Sequence, residues 1–513
     1  MENVISEERM NYNVCFVVDF DNFNNLKAIK GADLLYREND VAVAVLGNLY
    51  SRDHKRLTPA DVCTLYAEYS NEVETRFEGI YSVIIFDFSA KKTYVFQDFF
   101  GSNQSFYYYN TGSKVLLSTS LKTILMSENE DWQMNPASVK QFILRGYSAD
   151  NQTLIKNVCK IPGKRYLMID AGKRSVKLKK YKKEKNPKKE ISIEEYDEVM
   201  SRQTKAVIHE GMATTVSSGY DSNYILHNLN KLLDKNIDGF CIGGTIGTDE
   251  IPDAEKICSY YGNVDLHTRR VNGDSFNKLP EIVYILEGSM YERGIFLQYE
   301  LADLIKSYGV EHVMLGECAD QVLNFEMYHP VHQAMSILRL NRQKFFTRYF
   351  KKLHYRPYRT VYDMASYIVI KKNGIMMNHF GLNPEYPYMR KDFMRTAENA
   401  VKIGERKKEF HKKAITALLP KEITNIIRKM PGSTELKDLF IGDITFDDIK
   451  AMCEKSEYYT PKKFDDIYYE IDNYIKITYL EVFRKMFIEN REKYLTETFG
   501  DYDLKELLFP EKE

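Results

Sequence analysis

A chain of 513 residues is too long for one ordinary hydrophobic core, so two domains with some extension are expected. Its 72 Lys and Arg against 73 Asp and Glu leave a net charge of −1, which argues against a nucleic-acid or membrane-surface protein held by a global field. The 44% hydrophobic content excludes disorder, and apolar runs such as residues 81–86 are strand-length, far too short to span a bilayer.

The N-terminus is acidic and lacks the apolar stretch of a secretory signal. Cysteines are odd in number and scattered, at Cys15, Cys63, Cys159, Cys241, Cys258, Cys318 and Cys453. With no C-x-x-C pair and no H-E-x-x-H, neither a disulfide framework nor a zinc site is suggested, and a cytoplasmic location is expected. The first 170 residues or so read as strand-rich. Residues 41–46 form an apolar run ending at Gly47; residues 81–88 and 93–96 read as a hairpin, as do 106–109 and 115–117; residues 59–69 carry a helical spacing. Such hairpins with helices predict layered sheets covered by helices. A Lys-rich stretch follows, open to two readings: an anionic-ligand patch, or a strand edge with a solvated linker. The boundary falls here, dividing the chain into 1–172, a basic linker 173–191, and 192–513.

From Ser192 the pattern becomes helix–strand alternation. A helix over 193–208 precedes a strand at 214–216 and a helix to about Leu233. Strands at 239–242, 264–271 and 312–315 alternate with further helices. That order predicts a parallel, doubly wound α/β sheet, with added helices beyond residue 330.

The turn Ser217-Ser-Gly-Tyr-Asp-Ser222 lies between a strand and a helix, where α/β sheets bind phosphate through backbone N–H groups. Gly219 allows close backbone approach. Val216 leads into the turn, and the hydroxyls of Ser217 and Ser222 can donate to phosphate. Asp221 beside phosphate implies an intervening cation, for which Mg²⁺ is suited. The plain alternative is a Ser/Asp helix cap without a ligand. The strand at 312–315 runs into Gly316-Glu-Cys-Ala-Asp320. This makes Asp320 a second candidate Mg²⁺ ligand and Glu317 a candidate substrate-handling carboxylate; an ordinary acidic helix start is the alternative.

These segments resemble the asparagine synthetase family, which includes β-lactam synthetase and the lasso-peptide cyclases. Residues 217–222 look like the family's S-G-G-x-D-S loop, with Ser218 for the first Gly. Residues 315–320 look like S-G-E-G-A-D, with Leu315 for Ser and Cys318 for Gly. Residues 387–393 resemble P-F-L-D-x-x-F. Residues 419–423, 428–432 and 436–440 resemble the C-terminal lysine region and place Lys429 at its catalytic lysine. Toward the N-terminus, residues 46–50 and 77–79, Asp87, Asp98, Gly101, Tyr107 and residues 118–122 follow the class II glutamine amidotransferase pattern.

The resemblance implies an N-terminal α+β domain of Ntn-hydrolase-like αββα layering. It also implies an ATP-pyrophosphatase domain that adenylates a carboxylate with ATP and Mg²⁺ and passes the acyl group to an amine. ATP would contact Val216, Ser217, Gly219, Asp221, Ser222, Ile242 and Gly316; Asp221 and Asp320 would hold Mg²⁺; Glu317 and Lys429 would be catalytic. The family's glutaminase nucleophile is an N-terminal Cys, but here Met1 precedes Glu2 and Cys15 lies inside a strand, so the glutaminase is expected to be inactive. Expected partners are a peptide or small-molecule carboxylate and an amine, with no nucleic acid and no membrane; a homodimer is compatible. The favoured substrate is a natural-product precursor. Ammonia-dependent asparagine formation and a non-catalytic nucleotide-binding relative remain open.

Overall fold

The structure, a computed structural model, describes residues 13–182, 190–244, 249–271, 274–323, 365–399, 407–428, 439, 444–461, 467–500 and 502–509. Its strands, in chain order, begin with β1 (Cys15–Asp19), β2 (Lys27–Lys30), β3 (Tyr36–Glu38), β4 (Val41–Ser51), β5 (Phe77–Asp87), β6 (Lys92–Gln97), β7 (Tyr107–Asn110) and β8 (Lys114–Ser118). They continue with β9 (Val158–Lys160), β10 (Arg165–Asp170), β11 (Ser175–Lys180), β12 (Ala213–Thr215), β13 (Ile237–Gly243), β14 (Val264–Arg270), β15 (His312–Met314) and β16 (Asn383–Glu385).

Two antiparallel sheets, ordered β2-β1-β8-β7-β9 and β11-β10-β6-β5-β4-β3, make the N-terminal part. They face each other across one core, where Phe16 and Leu117 of one sheet meet Leu46, Ile84 and Val95 of the other. The outer face of the second sheet is covered by helix Pro59–Tyr69 through Val62, Cys63 and Tyr66. That helix starts where the sequence dictates: Thr58 and Asp61 form a reciprocal capping box and Pro59 opens the first turn. Helices Leu121–Ser127 and Pro136–Arg145 cover the first sheet. The Lys-rich stretch expected at the boundary begins within a sheet, since Ser175–Lys180 pairs with β10 as an edge strand; residues 183–189 lie outside the described residues.

The second part is a parallel sheet ordered β14-β13-β12-β15-β16. One face packs with helices Ile193–Lys205, Tyr220–Leu232 and Ile251–Tyr261 through Val216, Cys241 and Met314. The other packs with helices Leu279–Leu286, Ile295–Ser307 and Ile370–His379 through Ala213, Phe240 and Val313. Strand order reverses between β12 and β15, so the loops after these strands open on the crevice where such sheets take ligands. Helix Ile467–Arg484 joins the same core as the N-terminal helices, with the rings of Phe142 and Tyr479 5.1 Å apart. No helix among the described residues is long and apolar enough to cross a membrane.

Candidate active site

The loop after β12 is stapled from within. Ser217 Oγ and Ser222 Oγ share a hydrogen bond of 2.6 Å, and the Gly219 N–H donates to Ser217 Oγ at 3.1 Å. Asn223 Nδ2 donates to the carbonyls of both Ser217 and Gly219 at 2.8 Å. Gly219 is the N-cap of helix Tyr220–Leu232 and brings no side-chain acceptor to the N–H groups of the first turn. Ser218, where the family loop has Gly, has a specific use: its hydroxyl donates to Glu250 Oε1 at 2.7 Å. Val216 extends the strand pairing, with its N–H on Phe240 O at 2.8 Å. Ile242 stands two residues beyond the Thr215–Phe240 register on the neighbouring strand, its side chain buried.

The loop after β15 meets the first one backbone to backbone. A Cβ on Gly316 would lie 2.9 Å from Ser222 N and Cα, so only glycine permits this approach. The two candidate metal ligands converge, on a cation supplied by the chain. Lys408 Nζ lies 2.6 Å and 2.8 Å from the two Asp221 oxygens and 2.8 Å from Asp320 Oδ1. His411 Nε2 lies 2.9 Å from Asp221 Oδ1, and its Nδ1 is 2.8 Å from Tyr196 OH. Because the carboxylate only accepts, Nε2 carries the proton, and in the neutral imidazole Nδ1 accepts from the tyrosine. Burial, reinforced by the Lys408 charge, lowers the His411 pKa accordingly, against the pull of Asp221.

Burial works to raise the Asp221 carboxyl, but Lys408 and His411 outweigh it and hold that group well below the usual carboxylate range. Burial likewise opposes the Lys408 charge, and Asp221 with Asp320 outweigh it and raise the ammonium pKa. Carboxylates beside a phosphate-type loop are ligands of the kind magnesium accepts, and in this structure the point where the two converge is taken by the Lys408 ammonium. Among the described residues no group of three or more His, Cys, Asp or Glu is placed to hold a metal by protein ligands alone.

Glu317, on the loop after β15, is raised above its ordinary value by burial, in part offset by Lys372 and the Asn373 amide. Tyr388 OH donates to Asp221 O at 3.0 Å and ties the chain after β16 to the same point. Lys429 lies outside the described residues; its neighbour Arg428 docks on the loop, N–H to Ser218 O at 2.9 Å.

The structure sets Ser217, Asp221, Ser222, Gly316, Glu317 and Asp320 on two adjoining loops, and sequence reasoning did not single out Lys408 and His411, which lie against Asp221 and Asp320. The missed signal lies in helix Lys407–Leu418: both residues fall in register with the buried stripe of Ala414 and Ile415, where a lysine and a histidine are out of place unless they have a use.

Cys15 sits in the middle of its sheet, paired to Lys30 and to Ser118 and wholly buried. Burial pushes its thiol up to about 11, against a smaller opposing effect of Ser118. The preceding Val14 is bonded by its N–H to Thr119 Oγ1 at 3.0 Å and by its carbonyl to Ser118 Oγ at 2.9 Å.

Two family models match the chain: asparagine synthase over residues 203–471, more than half of it, and a glutamine amidotransferase domain over residues 48–182. A Methanocaldococcus jannaschii protein provisionally named a glutamine-hydrolysing asparagine synthetase is 23% identical over 54% of this chain and 55% of its own length. A glutamine-hydrolysing asparagine synthetase from Arabidopsis thaliana is 22% identical over 71% of this chain and 59% of its own. The chain therefore spans little more than half the length of the curated relatives it matches. A solved U34-tRNA thiolase from Methanococcus maripaludis shares 14% identity over 46% of this chain and 78% of its own, with a TM-score of 0.22, too low to support an argument.

Proposed function

Because the chain belongs to the asparagine synthase family, we propose that it is an ATP-dependent, AMP-forming amide-bond synthetase. The observation that carries this reading is the meeting of Asp221 and Asp320 on one ammonium at the point where strand order reverses. A substrate carboxylate oxygen would attack the α-phosphorus of ATP, and the bond to the β-phosphate would break with its electron pair leaving on pyrophosphate. Charge accumulates on the phosphates, so a site that gathers cations favours the step. The loop N–H groups and the hydroxyl of Ser217 or Ser222 not spent on the other would donate to phosphate, Val216, Ile242 and Gly316 would flank the nucleotide, and Lys408 would supply positive charge. Magnesium held by Asp221 and Asp320 would add further neutralisation there. Lys429, by its family context, would act on the same phosphates.

In the second half, an amine nitrogen bonds to the acyl carbon, the carbon–oxygen bond to AMP breaks, and the amine proton needs an acceptor. Glu317 fits that role, since burial keeps its carboxyl readier to take a proton than an ordinary glutamate. An Ntn-type N-terminal domain without a reachable nucleophile completes the reading: Cys15 is wholly buried within a strand, so the amine would be free ammonia or a second substrate. We favour a peptide or natural-product carboxylate over aspartate.

Exchange of radiolabelled pyrophosphate into ATP, over a carboxylate panel including aspartate with ammonia, tests the reading. Exchange dependent on one carboxylate is expected, with Asp320→Asn abolishing it and leaving the circular dichroism spectrum unchanged. Cys15→Ala should leave that exchange unaltered, and glutamate should not be released from glutamine by either protein. One observation favours the non-catalytic relative: Lys408 and His411 already compensate Asp221. ATP binding without exchange across the panel would select it.

A further inference from the structure

Beside Glu317 lie polar groups that the adenylation step does not use. Asn373, on helix Ile370–His379, is fully buried, and both atoms of its side-chain amide lack a hydrogen-bond partner among the described residues. Tyr386, the first residue after β16, is 2% exposed and its hydroxyl likewise has none. Glu317 Oε2 is the third such atom. The groups lie on neighbouring elements: the Leu315 N–H donates to Glu385 O at 2.9 Å, which sets the loop carrying Glu317 beside Tyr386, and helix Ile370–His379 shares the core of Leu315 and Tyr386 through Met376 and Met377. The Asn373 amide favours the Glu317 carboxylate. The nearby cation that could satisfy Glu317 is turned elsewhere, since Lys372 Nζ is 2.5 Å from Glu292 Oε1.

Leaving several buried polar groups unsatisfied costs stability. Native chains keep such groups where a ligand or an ordered water completes them. The unsatisfied set contains three acceptors (a carboxylate oxygen, an amide oxygen and a phenol oxygen) and two donors. Unsatisfied acceptors buried on neighbouring elements suit a group rich in N–H. The carboxylate adds a preference for positive charge.

We propose that Asn373 and Tyr386, with Glu317, form the recognition site for the nitrogen of the acceptor amine. This rests on the amide-synthetase reading, and it makes Asn373 and Tyr386 specificity-determining residues. A site built to hydrogen-bond N–H groups discriminates strongly against a group that lacks them.

The test uses methylammonium chloride as the probe, titrated into the full chain against sodium chloride of equal ionic strength while the melting temperature is followed. The wild type should show a saturable rise beyond the salt control. Asn373→Leu and Tyr386→Phe should lose that rise, and Tyr386→Phe should keep the basal melting temperature, which a merely structural hydroxyl would not. With the carboxylate that supports exchange, both variants should keep pyrophosphate exchange but need about tenfold more methylammonium for half-maximal AMP release. A wild type without a saturable rise, as for a site that holds only water, or variants that titrate like the wild type, would overturn the proposal. Failure of the synthetase reading shows separately, as absent exchange in the wild type.

Discussion

Lys408 is buried between two carboxylates, so its removal leaves charges facing each other with little water to screen them. Lys408→Met should destabilise the chain by about 3–5 kcal/mol in urea unfolding, more than Asp320→Asn does, because breaking a buried pair from one side strands the other. The signs agree at neutral pH. Asp221 is depressed, so its contribution is lost only as pH falls through its low folded value; Lys408 is raised, so its own is lost only in strong alkali. Cys318 makes a second case. It occupies the left-handed region at φ 69°, where the family motif has Gly. Cys318→Gly should hold or slightly raise the melting temperature, whereas Cys318→Val should lower it by an amount equivalent to about 1–2 kcal/mol. At this scale the sequence singled out Asp221, Glu317 and Asp320, and Asp221 and Asp320 meet on Lys408, because a strand-to-helix turn has a known place in an α/β sheet. It hid Lys408, Asn373 and Tyr386, whose role depends on elements distant in the chain.

The two halves are joined element to element by backbone contact and by borrowed caps. Glu287, after helix Leu279–Leu286, places its carboxylate on the start of helix Leu121–Ser127. It accepts from Ser120 Oγ at 2.8 Å and from the Leu121 N–H at 2.9 Å, while Lys122 Nζ pairs with it at 2.8 Å. Glu287→Ala should cost about 2 kcal/mol in urea unfolding, since it strands buried donors and an ammonium together. A no larger loss than for an exposed glutamate would show that water replaces the cap. Helix Ile370–His379 carries Gly374 in its interior, where a Cβ would lie 2.2 Å from Ser102 O; only a glycine lets the helix lie on the N-terminal loop. Most elements were legible. The hairpins, helix Pro59–Tyr69 and the order of β12, β13, β14 and β15 follow from periodicity and turn residues. β16 escaped because it is short and contains Pro384, which a parallel sheet tolerates at its edge.

Across the whole molecule, the seam between the halves holds titrating groups. Glu385, 1% exposed at the end of β16, accepts from Asn48 Nδ2 of β4 at 2.8 Å. Burial lifts its carboxyl from 4.5 to about 7, against the opposing pull of Arg390. The folded chain therefore holds a proton there that the unfolded chain has released, so stability falls as pH rises through that window. Glu385→Gln keeps the Asn48 contact and should flatten part of the fall, gaining at most about 3 kcal/mol above pH 7 relative to wild type. Glu74, also raised to about 7 by burial, keeps the remainder. Chemical unfolding at a series of pH values reads both effects. The seam's other closure concerns birth rather than equilibrium. Phe142, on a helix of the N-terminal half, is sealed by Tyr479 of helix Ile467–Arg484. At ribosomal speed the tyrosine is made roughly 20–70 s after the phenylalanine. Throughout that interval the nascent chain carries an uncovered apolar face, and a chain stalled before Tyr479 emerges will be a client for chaperones rather than a finished first domain.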